Sequence, residues 1–249
     1  MKVFLLCALC GFFAQLIDGT LGMAYGISAG TFLRSMGFSS ALSSFCTHTA
    51  EIFTTLASGL SHFAMKNVDK VLFCQLLLPG IAGGILGACL LTGIDDTILS
   101  PAVSVYLIVM GIVLFIRAFR KAPEKRRSMG RGVYPLAFIG GFSDSAGSGG
   151  WGPIVTSTLA ASGCDVRKTI GSVNAAEFFV TLAESFTFFL TMGSLGEALP
   201  AAAGLIAGGA AASPIAAVLC RKIPVKPLIA SVGALIAALN AWKLYTALS

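Results

Sequence analysis

His48 and Glu51 stand three residues apart, as do Asn174 and Glu177, so each pair shares one face of a helix. Ser44 and Thr47 add hydroxyls beside the first pair. The neighbouring residues are mostly apolar, and a carboxyl in such a setting faces a cavity or a partner, because leaving it unpaired is costly. Two roles fit Glu51 and Glu177: proton exchange, or a packed polar knot in which each glutamate holds His48 or Asn174. Asp18 and Asp144 belong to two glycine-bearing breaks, Asp18-Gly19-Thr20-Leu21-Gly22 and Ser143-Asp144-Ser145-Ala146-Gly147-Ser148-Gly149-Gly150. Asp is a good helix cap, so capping the half-helix after each break is the expected role, with a proton or cation site as the other. The breaks themselves suit an anion. Helix N-termini offer unpaired N–H groups and partial positive charge, and glycine lets an anion come close to the backbone. Gly19, Gly22, Gly147, Gly149 and Gly150 would supply that backbone, and Thr20, Ser145 and Ser148 the hydroxyls. Thr47, His48 and Asn174 complete the expected binding set. Tyr25 and Trp151, which follow the breaks, either wall the path or pack. The competing explanation for the glycines is close helix packing.

These residues recur in pairs at one constant offset. Asp18 matches Asp144, Tyr25 Trp151, Gly26 Gly152, Gly37 Gly163, His48 Asn174, Glu51 Glu177, Phe63 Phe189 and Pro101 Pro227. Two homologous halves are therefore expected: a first membrane repeat over 1–120, a basic linker over 121–132, and a second membrane repeat over 133–249. Apolar residues make up 56% of the chain, charged residues 11%, and the mean hydropathy is +0.87, the composition of a chain dissolved in lipid. Phe45–Met65, Val71–Ile94, Ile98–Ile116, Val173–Met192, Ala198–Leu219 and Leu228–Leu248 are long enough to span, which takes roughly 20 residues. Each half opens on an odd unit, Lys2–Leu33 or Val133–Ala161. As one straight helix it would run roughly 45 Å, well beyond a hydrocarbon core of about 30 Å. It reads instead as two short helices around an unwound turn, tolerated at membrane depth only beside protein or a wet cavity. The start, Met1-Lys2-Val3-Phe4-Leu5-Leu6, resembles a signal peptide, but Phe12 matches Phe138, so the segment is expected to belong to the first half.

Charge decides the orientation. If each odd unit returns to its own side as a re-entrant hairpin, each half crosses three times and the halves are inverted. Every Lys and Arg except Lys2, Arg34 and Lys243 then falls on one side, including Arg117, Arg120, Lys121, Lys125, Arg126, Arg127 and Arg131 around the linker. If the unit crosses, Arg34, Arg167, Lys168, Arg221, Lys222 and Lys226 move together to the opposite side. The positive-inside rule favours the hairpin. The expected fold is an all-α integral membrane protein of inverted repeats, each a glycine-broken hairpin plus three transmembrane helices, with both termini outside. Eight crossings in parallel halves, termini inside, is the alternative. The net charge of +6 and pI ≈ 9.0 then reflect the cytoplasmic face rather than nucleic-acid binding. The 7 cysteines are scattered and read as small buried hydrophobes.

Gly147-Ser148-Gly149-Gly150-Trp151-Gly152-Pro153, Ile170-Gly171-Ser172-Val173-Asn174, Ser61-His62-Phe63-Ala64-Met65-Lys66-Asn67-Val68-Asp69 and Gly83-Gly84-x-x-Gly87 together resemble the sulfite exporter TauE/SafE family. The resemblance covers nearly the whole chain. It implies transport of sulfite, sulfonates or related organosulfur anions across the bacterial inner membrane, often outward. Two positions depart from the family pattern: the first break has fewer glycines than many relatives, and His48 stands where a small polar residue is common. The leading expectation is a secondary transporter of a small sulfur-containing anion with alternating access. No Gly-x(4)-Gly-Lys-Ser/Thr loop is present, so the proton or substrate gradient would drive it. A cation or proton carrier using Asp18, Glu51, Asp144 and Glu177 is the alternative. An intramembrane protease with Ser148 as nucleophile would need His48 from the other half and is set aside. No histidine–carboxylate spacing suggests zinc, so neither metal nor cofactor is expected. The partners expected are a small anion and the lipid bilayer. Cysteines introduced at the two chain ends should react with an impermeant maleimide in intact cells. Labelling of both ends only in inverted vesicles would instead establish the eight-crossing arrangement.

Overall fold

The structure, a computed structural model, describes residues 1–21, 23–119, 129–192, 196, 198–219 and 225–248. Gly22, residues 120–128 of the expected linker region, Glu197, Arg221 and Lys222 lie outside the described residues. The described secondary structure is helical throughout. Helix α1 (Lys2–Leu21) is followed after a short break by α2 (Tyr25–Ser35), then α3 (Ser40–Ala64), α4 (Lys70–Gly93) and α5 (Asp96–Phe119). The same order returns at the constant offset. Helix α6 (Val133–Gly147) follows a 3-10 turn. A π-helical stretch, Trp151–Thr156, leads into α7 (Ser157–Ala161). Then come α8 (Val166–Thr191), α9 (Ala198–Leu219) and α10 (Val225–Leu248).

The helix starts are marked by polar caps. Ser39 Oγ accepts from Leu42 N at 3.3 Å, Asp69 Oδ1 from Val71 N at 2.9 Å, and Asp165 Oδ1 from Lys168 N at 3.1 Å. Asp95 accepts from the hydroxyl and amide of Thr97 at 2.6 and 2.8 Å ahead of α5, bonds that hold its carboxyl below the usual range. Among the described residues, four helices are long and apolar enough to cross a membrane: Lys70–Gly93, Asp96–Phe119, Arg167–Thr191 and Ile229–Ala247. The span expected at Phe45–Met65 lies in α3. This helix has the length but too many polar residues to qualify, since it carries Ser43, Ser44, Thr47, His48, Glu51, Thr54, Thr55 and Ser58. Its buried side is the wall of the site described below.

Neighbouring helices meet along small-residue seams, as expected where lipid supplies no hydrophobic drive for association. Helix α1 packs along α9, where Gly204 sits over Cys7 and Ala8, and α6 packs along α4, where Gly83 and Gly87 sit over Phe138 and Phe142. Both contacts run parallel. Helices α5 and α10 pair through Gly111 and Gly233, and α3 and α8 through Gly59 and Ala175. These two pairs run antiparallel: Ser58 faces Asn174, and His48 faces Glu184.

Arg34, expected at the outer surface, is 1% exposed. Its guanidinium donates to Ser40 Oγ, to Ser100 O at 2.9 Å and to Ser104 Oγ at 2.9 Å, fastening the end of α2 to α3 and α5. Lys243 Nζ, expected on the same side as Arg34, donates to Arg34 O at 2.8 Å and brings α10 to the same point. The buried Arg34 charge survives because both terminal nitrogens of its fork donate hydrogen bonds. Arg34→Met should therefore cost about 3 kcal/mol, the scale of buried charge-assisted bonds. Thermal unfolding of the detergent-purified protein reads this directly, and an unchanged midpoint would contradict it.

Candidate translocation site

The breaks are shorter than the sequence suggests. Helix α1 stays wound through Leu21, which puts Asp18, Gly19 and Thr20 in its last turn, and α6 takes in Asp144, Ser145 and Gly147. Helix α6 ends where φ turns positive, at Ser148 and Gly149 (φ 60 and 147), and Ala24, just ahead of α2, has φ 97. The aspartates then reach across. Asp144 Oδ1 accepts from Gly150 N at 2.6 Å and Trp151 N at 3.0 Å, and Asp18 Oδ1 accepts from Tyr25 N at 3.2 Å. Each acid thus caps the helix after its own break from six or seven residues upstream. The amides of Tyr25, Gly150 and Trp151 are consequently engaged by protein carboxylates. The two breaks also touch: a Cβ on Gly26 would lie 2.7 Å from Ser148 O and 2.8 Å from Gly149 Cα.

Beside this contact lies a cavity of ≈ 220 Å³. Of the residues singled out from sequence, Asp18, Tyr25, Glu51, Asp144, Gly149, Gly150, Asn174 and Glu177 line it. Thr47, His48, Ser145, Gly147, Ser148 and Trp151 do not. Trp151 is packed in the core with its indole donating to Val173 O at 3.2 Å, filling space left by Gly80 and Gly140. Ser145 Oγ donates to Gly84 O at 2.7 Å, and Ser44 Oγ donates to Ser145 O at 2.5 Å, stitching α3, α6 and α4 together. Gly22, and the surroundings of Gly19 and of the Thr20 side chain, lie outside the described residues. Gln15, Thr54, Thr55, Ser58 and His62 are not among the candidate binding residues drawn from the sequence, yet all five line the cavity. The signal was present: Glu51, Thr54, Thr55, Ser58 and His62 follow one helix face.

Behind Glu51 sits a second polar group. His48 Nε2 lies 3.2 Å from the carbonyl of Asp144, an acceptor, so Nε2 carries the hydrogen. His48 Nδ1 is 2.9 Å from Glu51 Oε2, and one proton is shared between them. Glu184, from α8, was not singled out in the sequence. It is 0% exposed, with Oε2 3.4 Å from His48 Nδ1 and neither oxygen hydrogen-bonded. His48, Asp144 and Glu184 place one donor atom each within 4.8 Å of one another, the set among the described residues close enough for a metal ion. No sequence spacing could show this, because three separate helices supply it.

A bundle with helix breaks in contact, a polar cavity at the junction and acids on its walls is built for passage across a membrane. The pattern described as Sulfite exporter TauE/SafE matches residues 7–242. The chain belongs to the sulfite exporter TauE/SafE family. It is also similar to a probable membrane transporter protein, YtnM, of Bacillus subtilis (strain 168), with 36% identity over 247 residues, 97% of this chain and 82% of that protein. This TauE/SafE protein is a multi-pass membrane transporter and not an enzyme.

The junction predicts a contrast between two glycines. Gly149 has φ 147 and abuts Gly26, so Gly149→Ala should cost about 2 kcal/mol or more through strain and overlap. Gly93, the last residue of α4, has nothing within 4 Å of an added Cβ, and Gly93→Ala should leave stability unchanged within about 0.5 kcal/mol. Equal melting temperatures for the two variants would contradict the junction.

Proposed function

We propose that this protein carries a small sulfur-containing anion, such as sulfite or a sulfonate, outward across the bacterial inner membrane by alternating access, with protons exchanged at Glu51 and Glu177. The observation that carries the reading is the cavity at the meeting point of the two breaks. Its walls offer the first-turn backbone of α2 at Gly26 and Ile27 and the hydroxyls of Thr54, Thr55 and Ser58. From Glu51 the polar stripe runs along α3 to His62, next to Lys66 and Lys70. The positive-inside rule puts those lysines in the cytoplasm, so the cavity opens where an exported anion would enter. The antiparallel pairing of α3 with α8 and of α5 with α10 supports inverted halves joined by a cytoplasmic linker.

Four acids, Asp18, Glu51, Asp144 and Glu177, share the lining. Asp18 and Asp144 are committed to backbone amides. Charged carboxylates at Glu51 and Glu177 would repel an anion in this low-dielectric interior, so proton uptake there accompanies its entry. That linkage is the coupling step. The same convergence of acids favours a second reading, a carrier for cations or protons.

Proteoliposomes separate the two. Sulfite or sulfonate flux driven by a pH gradient, abolished in Glu51→Gln and Glu177→Gln while melting temperature is retained, is the expected result. Flux of alkali cations or protons without any anion flux would replace the first reading by the second.

A further inference from the structure

Each cavity-lining residue has a counterpart in the other half at the constant offset, and the pairs fall into two classes. At the junction of the breaks both members line the cavity in the pairs Asp18 and Asp144, Gly26 and Gly152, and Glu51 and Glu177, while of Tyr25 and Trp151 only Tyr25 does. Away from the junction only one member does. Thr55, Ser58, His62 and Asn174 line it, whereas their respective counterparts Thr181, Glu184, Phe188 and His48 are all 0% exposed. The correspondence extends to contacts. Asn174 Nδ2 donates to Ser58 Oγ at 3.0 Å, and the counterparts His48 and Glu184 face each other at 3.4 Å. Where His62 stands at the cavity, Phe188 lies stacked on His48, with ring centroids 6.3 Å apart and planes at 15°.

The sealed set is therefore a polar lining without a space. Glu184 is wholly buried there, with Oε2 3.4 Å from His48 Nδ1 and Oε1 without a hydrogen-bond partner. A carboxyl oxygen without a hydrogen bond in a membrane interior is among the most expensive groups a fold can hold. Water in another state of the molecule would satisfy it. We infer that Thr181, Glu184, Phe188 and His48 form a second mouth of the pathway, closed in this structure, which opens to the side opposite His62 and admits water and the transported ion when the mouth at Thr55, Ser58 and His62 shuts. The inference rests on the inverted halves of the proposed function. Phe188 is the plug, and moving its ring off His48 uncovers Glu184. The two mouths differ in chemistry, because the neutral Ser58–Asn174 pair on one side corresponds to an ionisable Glu184–His48 pair on the other. An ion leaving through the second mouth meets groups that can carry charge.

Single cysteines in a cysteine-free version of the full chain test this, probed by an impermeant maleimide in intact cells and in inverted vesicles. Ser58→Cys should label from the cytoplasmic side. Thr181→Cys and Glu184→Cys should label from the outside, and Phe188→Ala should raise the outside rate in the Thr181→Cys background. Thr181→Cys is close in size to the original residue and guards against misfolding of Glu184→Cys. Labelling of Thr181→Cys from the cytoplasmic side, or from neither side, overturns the second mouth, and an unchanged rate with Phe188→Ala overturns the plug. None of these results depends on the cargo. Absence of sulfite and sulfonate flux in proteoliposomes would remove the proposed substrate and leave the second mouth standing.

Discussion

A backbone that stops being helical inside a membrane must satisfy its freed amides without bulk water. This protein meets that constraint with two aspartates. Asp18 and Asp144 sit in the last turn of one helix and reach over the break to the first amides of the next. Because these bonds close each break internally, the chain can bring the two breaks into backbone contact at Gly26, Ser148 and Gly149. The space left beside that contact is the cavity, so the site follows from how the interruptions are capped.

The packing then makes the halves interdependent. Helix α1 lies on α9 and α6 lies on α4, so each broken unit is supported by the other half. The antiparallel α3 and α8 both line the cavity, while Arg34 and Lys243 fasten the end of α2 to α5 and α10. Transport by relative movement of such parts needs rigid groups and sliding seams. The glycine-lined contacts provide close approach with few interlocking side chains.

Much of this was legible in the residue pattern. The apolar runs, the recurrence of Asp18 as Asp144 and Glu51 as Glu177, and the family resemblance gave the helical membrane fold and the transporter class. The paired acids and the breaks each stood out as costly or irregular features in apolar surroundings, and the fold brings them to one cavity. What escaped was anything made by distant helices meeting. Glu184 looks like an isolated acid in α8 until α3 brings His48 opposite it. Arg34 looks like a surface charge until three serines from α3 and α5 enclose it. Trp151 looks like a pathway wall until Gly80 and Gly140 open a slot in the core for its ring. Thr54, Thr55 and Ser58 were visible as a polar helix face, and attention to the acids alone obscured them.

The halves are not mechanical copies. After the first break the chain winds as an ordinary α-helix from Tyr25, whereas after the second it winds as a π-helix over Trp151–Thr156, with Pro153 inside it. A π turn is wider and holds more chain per unit of rise than an α turn. The second half therefore stores slack beside its break that the first lacks. Tightening that coil would lengthen one side of the junction alone, giving the molecule a built-in direction in which to tilt.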